Sequence, residues 1–341
     1  MGDRKVPEKS RQVKYDLIRA VAMVFVVLLH LLGHIQAETG TVKWWGKEAA
    51  MLLTSSCNGL FFLISGRFNL NRKSTNDIGR FYRKRAVTIL IPFFISSLIC
   101  FVVEDRANGA NRNYLRSLIT EFPGTQYWFV YFLAGLLFWA PFFASMMAEL
   151  PLRKKLILTA GVLAFQTVFV ALKDMGIYPG YELPLTGWAL FFLVGSFADS
   201  IPDIWKKRVI LLGALSYCLS VLQSGFLPQA SSGLQDLSPR YFLTVLALYY
   251  GLQRVRIAPK AEKAVTWFAG YSYYVYLFHN MVLFLFFSEK VGIYDGLITK
   301  TGTILFLILA VATCFAVSVL IGTVIEKLVI VPLKKNLNAK N

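Results

Sequence analysis

YDLIRAVAMVFVVLLHLLGHIQ, residues 15–36, decides the fold. Between Leu17 and Ile35 only Arg19, His30 and His34 are polar. The run is long enough to cross ~30 Å of hydrocarbon at ~1.5 Å per residue. No small-residue cleavage site follows it, so it reads as a retained helix and not a leader. Val6 stands where a myristoylation signal needs Ser or Thr, which argues against that anchor.

The rest of the chain repeats the pattern. Its 341 residues are 56% hydrophobic and 16% charged, with a mean hydropathy of +0.55. A soluble domain has roughly a quarter of its residues charged. Further apolar blocks lie at 48–66, 86–103, 126–148, 155–172, 185–198, 209–225, 240–252, 265–288 and 302–325. They predict an all-α integral membrane bundle of about ten transmembrane helices. No segment between them holds a second soluble domain. Residues 1–341 therefore read as one membrane domain, with 1–14 a basic tail and 327–341 a C-terminal tail.

A net charge of +17 raises nucleic acid as a partner. The basic residues, however, lie between apolar blocks without interleaved aromatics, and membrane topology accounts for them better. Alternate segments, from Arg4–Lys14 and Arg67–Arg85 to Lys327–Lys340, hold 26 of the 36 Lys and Arg residues. By the positive-inside rule both termini are cytoplasmic and the chain is multi-pass in the plasma (inner) membrane. Cys57, Cys100, Cys218 and Cys314 all fall inside apolar blocks without paired spacing, and read as small core residues rather than disulfides or metal ligands.

Lipid does not explain the polar groups that remain. His30, His34 and His279 are the only histidines, and all three lie inside apolar blocks. An ionisable group at the bilayer centre costs about 2.5–3.5 kcal/mol on insertion scales, so such groups face a bundle interior or a wet cavity. Arg19 and His30 lie about 20° apart around the first helix and ~16 Å apart along it, and Asp16 and His34 flank them at about 60°. An Asp16–Arg19 pair that stabilises the helix end, with Arg19 snorkelling, is the alternative to a functional stripe.

Counted from the inner ends of their helices, His30 and His279 come at one depth, ~22 Å and ~21 Å, and could share a site. Ser272 and Tyr276 share the face of His279. Thr54, Ser55, Ser56 and Asn58 come near the same level on the second helix. There is no nucleotide-binding, metalloprotease or Ser-hydrolase motif, and three separated histidines make a poor metal site.

Several stretches together resemble the acyltransferase-3 family, membrane O-acyltransferases of bacterial cell-surface glycans. In the first helix, YDLIRAVAMVFVVLLH (15–30) carries the family's Arg and His eleven apart as Arg19 and His30. LFFLISGRF (60–68), FYRKRAVTILIPFF (81–94), YWFVYFLAGLLFWAPFF (127–143), LFFLVGSFA (190–198) and GYSYYVYLFHNMVL (270–283) follow in the family's order. One departure stands out. Where the family has a second Arg three residues after the first, counting back from Pro92 gives Arg85 and then Thr88. Arg80 and Arg83 offer that spacing further back.

The resemblance implies an acyl-CoA donor, acetyl-CoA above all, no metal, and a hydroxyl acceptor on a polysaccharide or lipid-linked glycan. It implies that Arg19, Arg83 and Arg85 hold the CoA phosphates, where guanidinium forks suit phosphate. His30 is the implied general base or acyl carrier, with Ser65 and His279 for orientation or oxyanion support. A proton-coupled transporter or flippase of a glycan or small molecule, using His30 and His279 as a relay, is the rival reading.

Overall fold

The computed structural model describes residues 13–71, 75–177, 187–226, 238–287 and 293–339. Arg4, Lys5, Lys9, Arg11, Arg72, Lys73 and Lys340 of the charge pattern lie outside the described residues. Among those described, every regular element is helical. The helices are α1 (Val13–His34), α2 (Val42–Thr54), α3 (Cys57–Asn69), α4 (Ile78–Arg85), α5 (Ile91–Asn108), α6 (Tyr114–Thr120) and α7 (Trp128–Glu149). They continue as α8 (Leu152–Asp174), α9 (Trp188–Gly195), α10 (Asp203–Phe226), α11 (Pro239–Leu252), α12 (Pro259–Phe287), α13 (Ile293–Ile325) and α14 (Val331–Ala339).

Among the described residues, seven stretches are long and apolar enough to cross a membrane: Val13–His34, Val42–Asn69, Ile78–Asn108, Thr125–Glu149, Leu152–Leu172, Asp203–Phe226 and Gly302–Lys335. Large apolar side chains such as Ile157, Val168, Leu211 and Leu219 face outward. Exposed apolar surface on this scale is stable against lipid tails and not against water. The chain is a multi-pass membrane protein.

The other expected spans fall on α9, α11 and α12. At 8 and 14 residues, α9 and α11 are short. α12 has 29 residues, but Tyr271, Tyr273, Tyr274, Tyr276, His279 and Asn280 lower its hydropathy. Its polar residues pack inside the bundle, where α12 lies against α1, α5 and α13. Three of the cysteines are core residues as expected, whereas Cys218 faces outward from α10.

Three local features shape the bundle. The second expected span is broken in two at Ser55 and Ser56. The hydroxyls of Thr54 and Ser55 donate to the carbonyls of Ala50 and Leu52, both at 2.7 Å. Such back-bonding competes with the helical ladder and bends it. Between α4 and α5 a π-helical turn, Ala86–Leu90, precedes Pro92. Proline lacks the N–H and crowds the carbonyl four residues back, and the wider turn absorbs that residue. The last expected span does not stop at 325 but passes through a second π turn, Glu326–Ile330, into α14.

α3 and α9 approach each other closely. A Cβ on Gly66 would stand 1.7 Å from the Phe192 carbonyl oxygen, and one on Gly195 would stand 2.0 Å from that of Leu63. Two backbones meet there, which only glycine permits, as at small-residue contacts between membrane helices. The Ser-Gly stretch of α3 and the Gly-bearing stretch of α9 are thus the two halves of one contact.

Candidate active site

A cavity of about 440 Å³ lies beside the break between α2 and α3. Val26, Leu29 and His30 of α1 form one wall, and Met51, Cys57 and Asn58 on either side of the break form another. Thr125, Gln126 and Trp128 at the start of α7, with Tyr276 of α12, complete it.

α1 and α12 run side by side in the same direction, and two contacts fix their register. At one end the Thr266 hydroxyl donates to Asp16 at 3.3 Å. Further along, the imidazoles of His30 and His279 lie 5.1 Å apart between centroids, tilted by 48°. The helical rise between these contacts is ~21 Å on α1 and ~20 Å on α12. The two histidines that depth counting put at one level are neighbours.

Their surroundings differ. His30 is exposed to the cavity, whereas His279 is fully buried behind it. The Nδ1 of His279 lies 2.7 Å from the Tyr276 carbonyl. A carbonyl oxygen only accepts, so Nδ1 carries the proton and the lone pair is left on Nε2. That Nε2 is buried without a hydrogen-bond partner among the described residues. Ser272 spends its hydroxyl on Ala269 of its own helix. His34 stacks on Phe287 at 3.9 Å and does not line the cavity.

The other expected site residues lie away from this pair. Arg19 binds Asp16 at 3.1 Å and covers the ring of Phe68 at 4.7 Å. The helix-end pair weighed against a functional stripe is therefore formed. Ser65 sits near that same end of the bundle, two turns (~10 Å) along α3 from Asn58, and the structure does not bring it to the histidines. Arg83 is exposed, with its Nε 3.4 Å from the Gly79 carbonyl. Arg85, at the start of the π turn, is half-buried over Phe81 at 5.1 Å, and its Nε has no hydrogen-bond partner among the described residues. Thr88 donates to the Lys84 carbonyl at 2.8 Å and so serves its own helix.

The same basic end holds a junction that sequence reading missed. Asp199, in the turn after α9, accepts from the Tyr15 hydroxyl and from Arg67 Nε. It also accepts from Tyr249 at 3.2 Å and Gln253 at 3.4 Å. One carboxylate thus ties α1, α3 and α11 together. Burial works against its charge, but the hydrogen bonds from Tyr15 and Arg67 and the charge of Arg67 outweigh burial and hold its carboxyl below the usual carboxylate range.

A depressed pKa contributes stability that is present above the unfolded value of about 3.9 and is lost as pH falls through the folded one. Asp199→Asn is expected to lower stability at neutral pH by about 2 kcal/mol, the scale of hydrogen bonds to a charged group. Thermal unfolding of the detergent-solubilised protein, followed from neutral pH to about pH 3, checks this. The difference between wild type and variant should shrink on the acid side, and a difference independent of pH would refute the assignment.

Gln126, Asn280 and Trp128 are also part of the site and were missed. Their only signal was polar or aromatic character at a helix start, or beside His279, which many structural residues share.

Fold and cavity together define a polytopic helical membrane protein with a paired-imidazole site inside its bundle. The family model of acyltransferase-3, described as an acyltransferase domain, matches residues 12–323. The chain belongs to that family and is a membrane acyltransferase. No curated protein and no solved structure matches it.

Proposed function

We propose that the chain transfers an acyl group, acetyl above all, from cytoplasmic acyl-CoA to a hydroxyl of a cell-surface or exported polysaccharide. The observation that carries this reading is the His30–His279 pair, one imidazole facing a cavity and the other buried with a bare lone pair. In this reading the chain is one domain of ten spans in the plasma (inner) membrane. The basic end and both termini are cytoplasmic.

His30 takes the proton from the acceptor hydroxyl as that oxygen attacks the acyl carbon. His279, with Nδ1 held by a backbone carbonyl, offers Nε2 to an N–H of His30 and so turns the other His30 nitrogen, as base, toward the cavity. A buried acceptor that holds a catalytic imidazole in this way selects its tautomer.

The CoA phosphates bind at the basic end. Arg85 is the best-placed residue, because its half-buried guanidinium has an unused Nε. Arg83 and Arg19 add charge, although Arg19 shares its own with Asp16. Cys100 of α5 reaches the Leu277 carbonyl, two residues from His279. Arg85 thus lies ~22 Å down that helix pair from the histidines. A separation of this size suits a donor bound by its phosphates at one end and reacting at the tip of its pantetheine arm. Ser65 remains a candidate for orienting that arm, not for the chemistry at the histidines.

Labelled acetyl-CoA supplied to purified membranes tests the reading. Transfer predicts base-labile label on glycan and release of CoA thiol. Uptake of intact substrate driven by a proton gradient, without thiol release, would instead establish the carrier. Within the transfer reading, Arg85→Ala is expected to raise KM for acetyl-CoA by about 10- to 100-fold, the worth of one charge-assisted contact. Its kcat should stay near wild type, since the contact is equally present before and during reaction.

A further inference from the structure

Of the further polar residues that line the cavity, Gln126 carries a buried donor that acyl transfer by the two imidazoles leaves unused. Gln126 sits in the short turn Thr125–Tyr127 before α7, is only 4% exposed, and lines the cavity together with His30 and Tyr276. Three contacts fix it. The Tyr276 hydroxyl donates to its backbone carbonyl. Asn280 Nδ2 donates to its side-chain Oε1 at 3.0 Å. Gly124 leaves room for the amide, because a Cβ there would stand 2.7 Å from Oε1. Tyr276 and Asn280 flank His279 on α12, so one helix positions both the imidazole and the amide.

With Oε1 committed, what remains of the amide is Nε2, which can only donate. It is shut off from water and has no acceptor among the described residues. Native structures seldom leave a buried donor unpaired, and each such group calls for an explanation. The missing partner must be an atom that accepts. A hydroxyl oxygen can accept, but it gives up electron density as it attacks, so a fixed donor on it would oppose the transfer step. The acyl carbonyl oxygen does fit.

We propose that Gln126 is a catalytic residue whose Nε2 binds the acyl carbonyl oxygen as charge develops on it. The inference rests on the transfer reaction proposed above. In that step the acceptor oxygen bonds to the thioester carbon while its proton passes to His30. The C=O electron pair moves onto oxygen, and this oxyanion accepts the hydrogen bond from Gln126. Collapse restores the C=O, the C–S bond breaks, and the CoA sulfur leaves with the proton held by His30. The products are an O-acyl ester and the CoA thiol. A neutral amide suits the task because it neither titrates nor grips the ground-state carbonyl as strongly as the oxyanion.

The test uses the full-length protein in membranes, with labelled acetyl-CoA as the probe and ester formation and thiol release as readouts. Gln126→Leu is expected to lower kcat by about 10²–10³-fold, as for other lost oxyanion donors, with KM for acetyl-CoA nearly unchanged. Gln126→Glu keeps the shape, lacks the N–H and repels the oxyanion, so it should be no better. It tests the same donor where the leucine variant does not fold. Gly124→Ala, which displaces the amide without removing it, should fall between them and wild type. Unimpaired kcat in a folded Gln126 variant, or a raised KM alone, overturns the proposal. If the wild type forms no ester, the transfer reaction falls as well, whereas a wild-type rate in His30→Ala removes only the role of His30. A silent His30 variant beside an unimpaired Gln126 variant overturns Gln126 only.

Discussion

Replacing His30 with alanine is expected to lower ester formation from acetyl-CoA by about 10²–10⁴-fold, the usual contribution of a positioned general base. The structure makes this a clean substitution. His30 faces the cavity and is not part of the packed core. Its removal should therefore leave stability within about 0.5 kcal/mol of wild type, as for surface positions. The same cavity, at about 440 Å³, has room for a free imidazole. Added imidazole should restore part of the lost rate if the side chain acts as a base. A wild-type rate in the folded variant would remove His30 from the reaction.

The other large effect is structural. Gly66→Val is expected to destabilise the bundle by more than about 3 kcal/mol, beyond the usual range for overpacking. The obstacle at 1.7 Å is the Phe192 backbone carbonyl and not the end of a flexible side chain. Accommodation would require α3 and α9 to separate, and α9 is buried along nearly its whole length. Gly135→Ala is the control, because nothing lies within 4 Å of the added Cβ. The level of folded protein in membranes and its unfolding midpoint in detergent measure both variants. Equal behaviour of the two would mean that the close approach does not constrain the fold.

The parts of the site legible in the sequence are those that hydrocarbon would reject. An Arg and three His inside apolar runs are costly to leave facing lipid, and counting depth along two helices put His30 and His279 at one level. Arg19 was legible as a polar residue but not in its partnership, since Asp16 served either reading equally. What sequence could not show depends on contacts between distant elements. Gln126 looks like an ordinary polar residue at a helix start until Asn280, 154 positions away, is found on its Oε1. Asp199 looks like a turn residue until Tyr15, Arg67 and Tyr249 converge on it. The broken second span was hidden because Thr and Ser are equally common in unbroken membrane helices, where their hydroxyls also bond the preceding turn.

The side-by-side placement of α1 and α12 also has a consequence in time. His30 is synthesised well before its partner, which lies 249 positions further along the chain. At about 5–20 residues per second, ribosomes take roughly 10–50 s to travel from one to the other. During that interval the nascent chain has its forward imidazole but neither its companion nor the Asn280 that steadies Gln126. A chain interrupted anywhere before α12 would therefore carry neither the histidine pair nor the steadied Gln126.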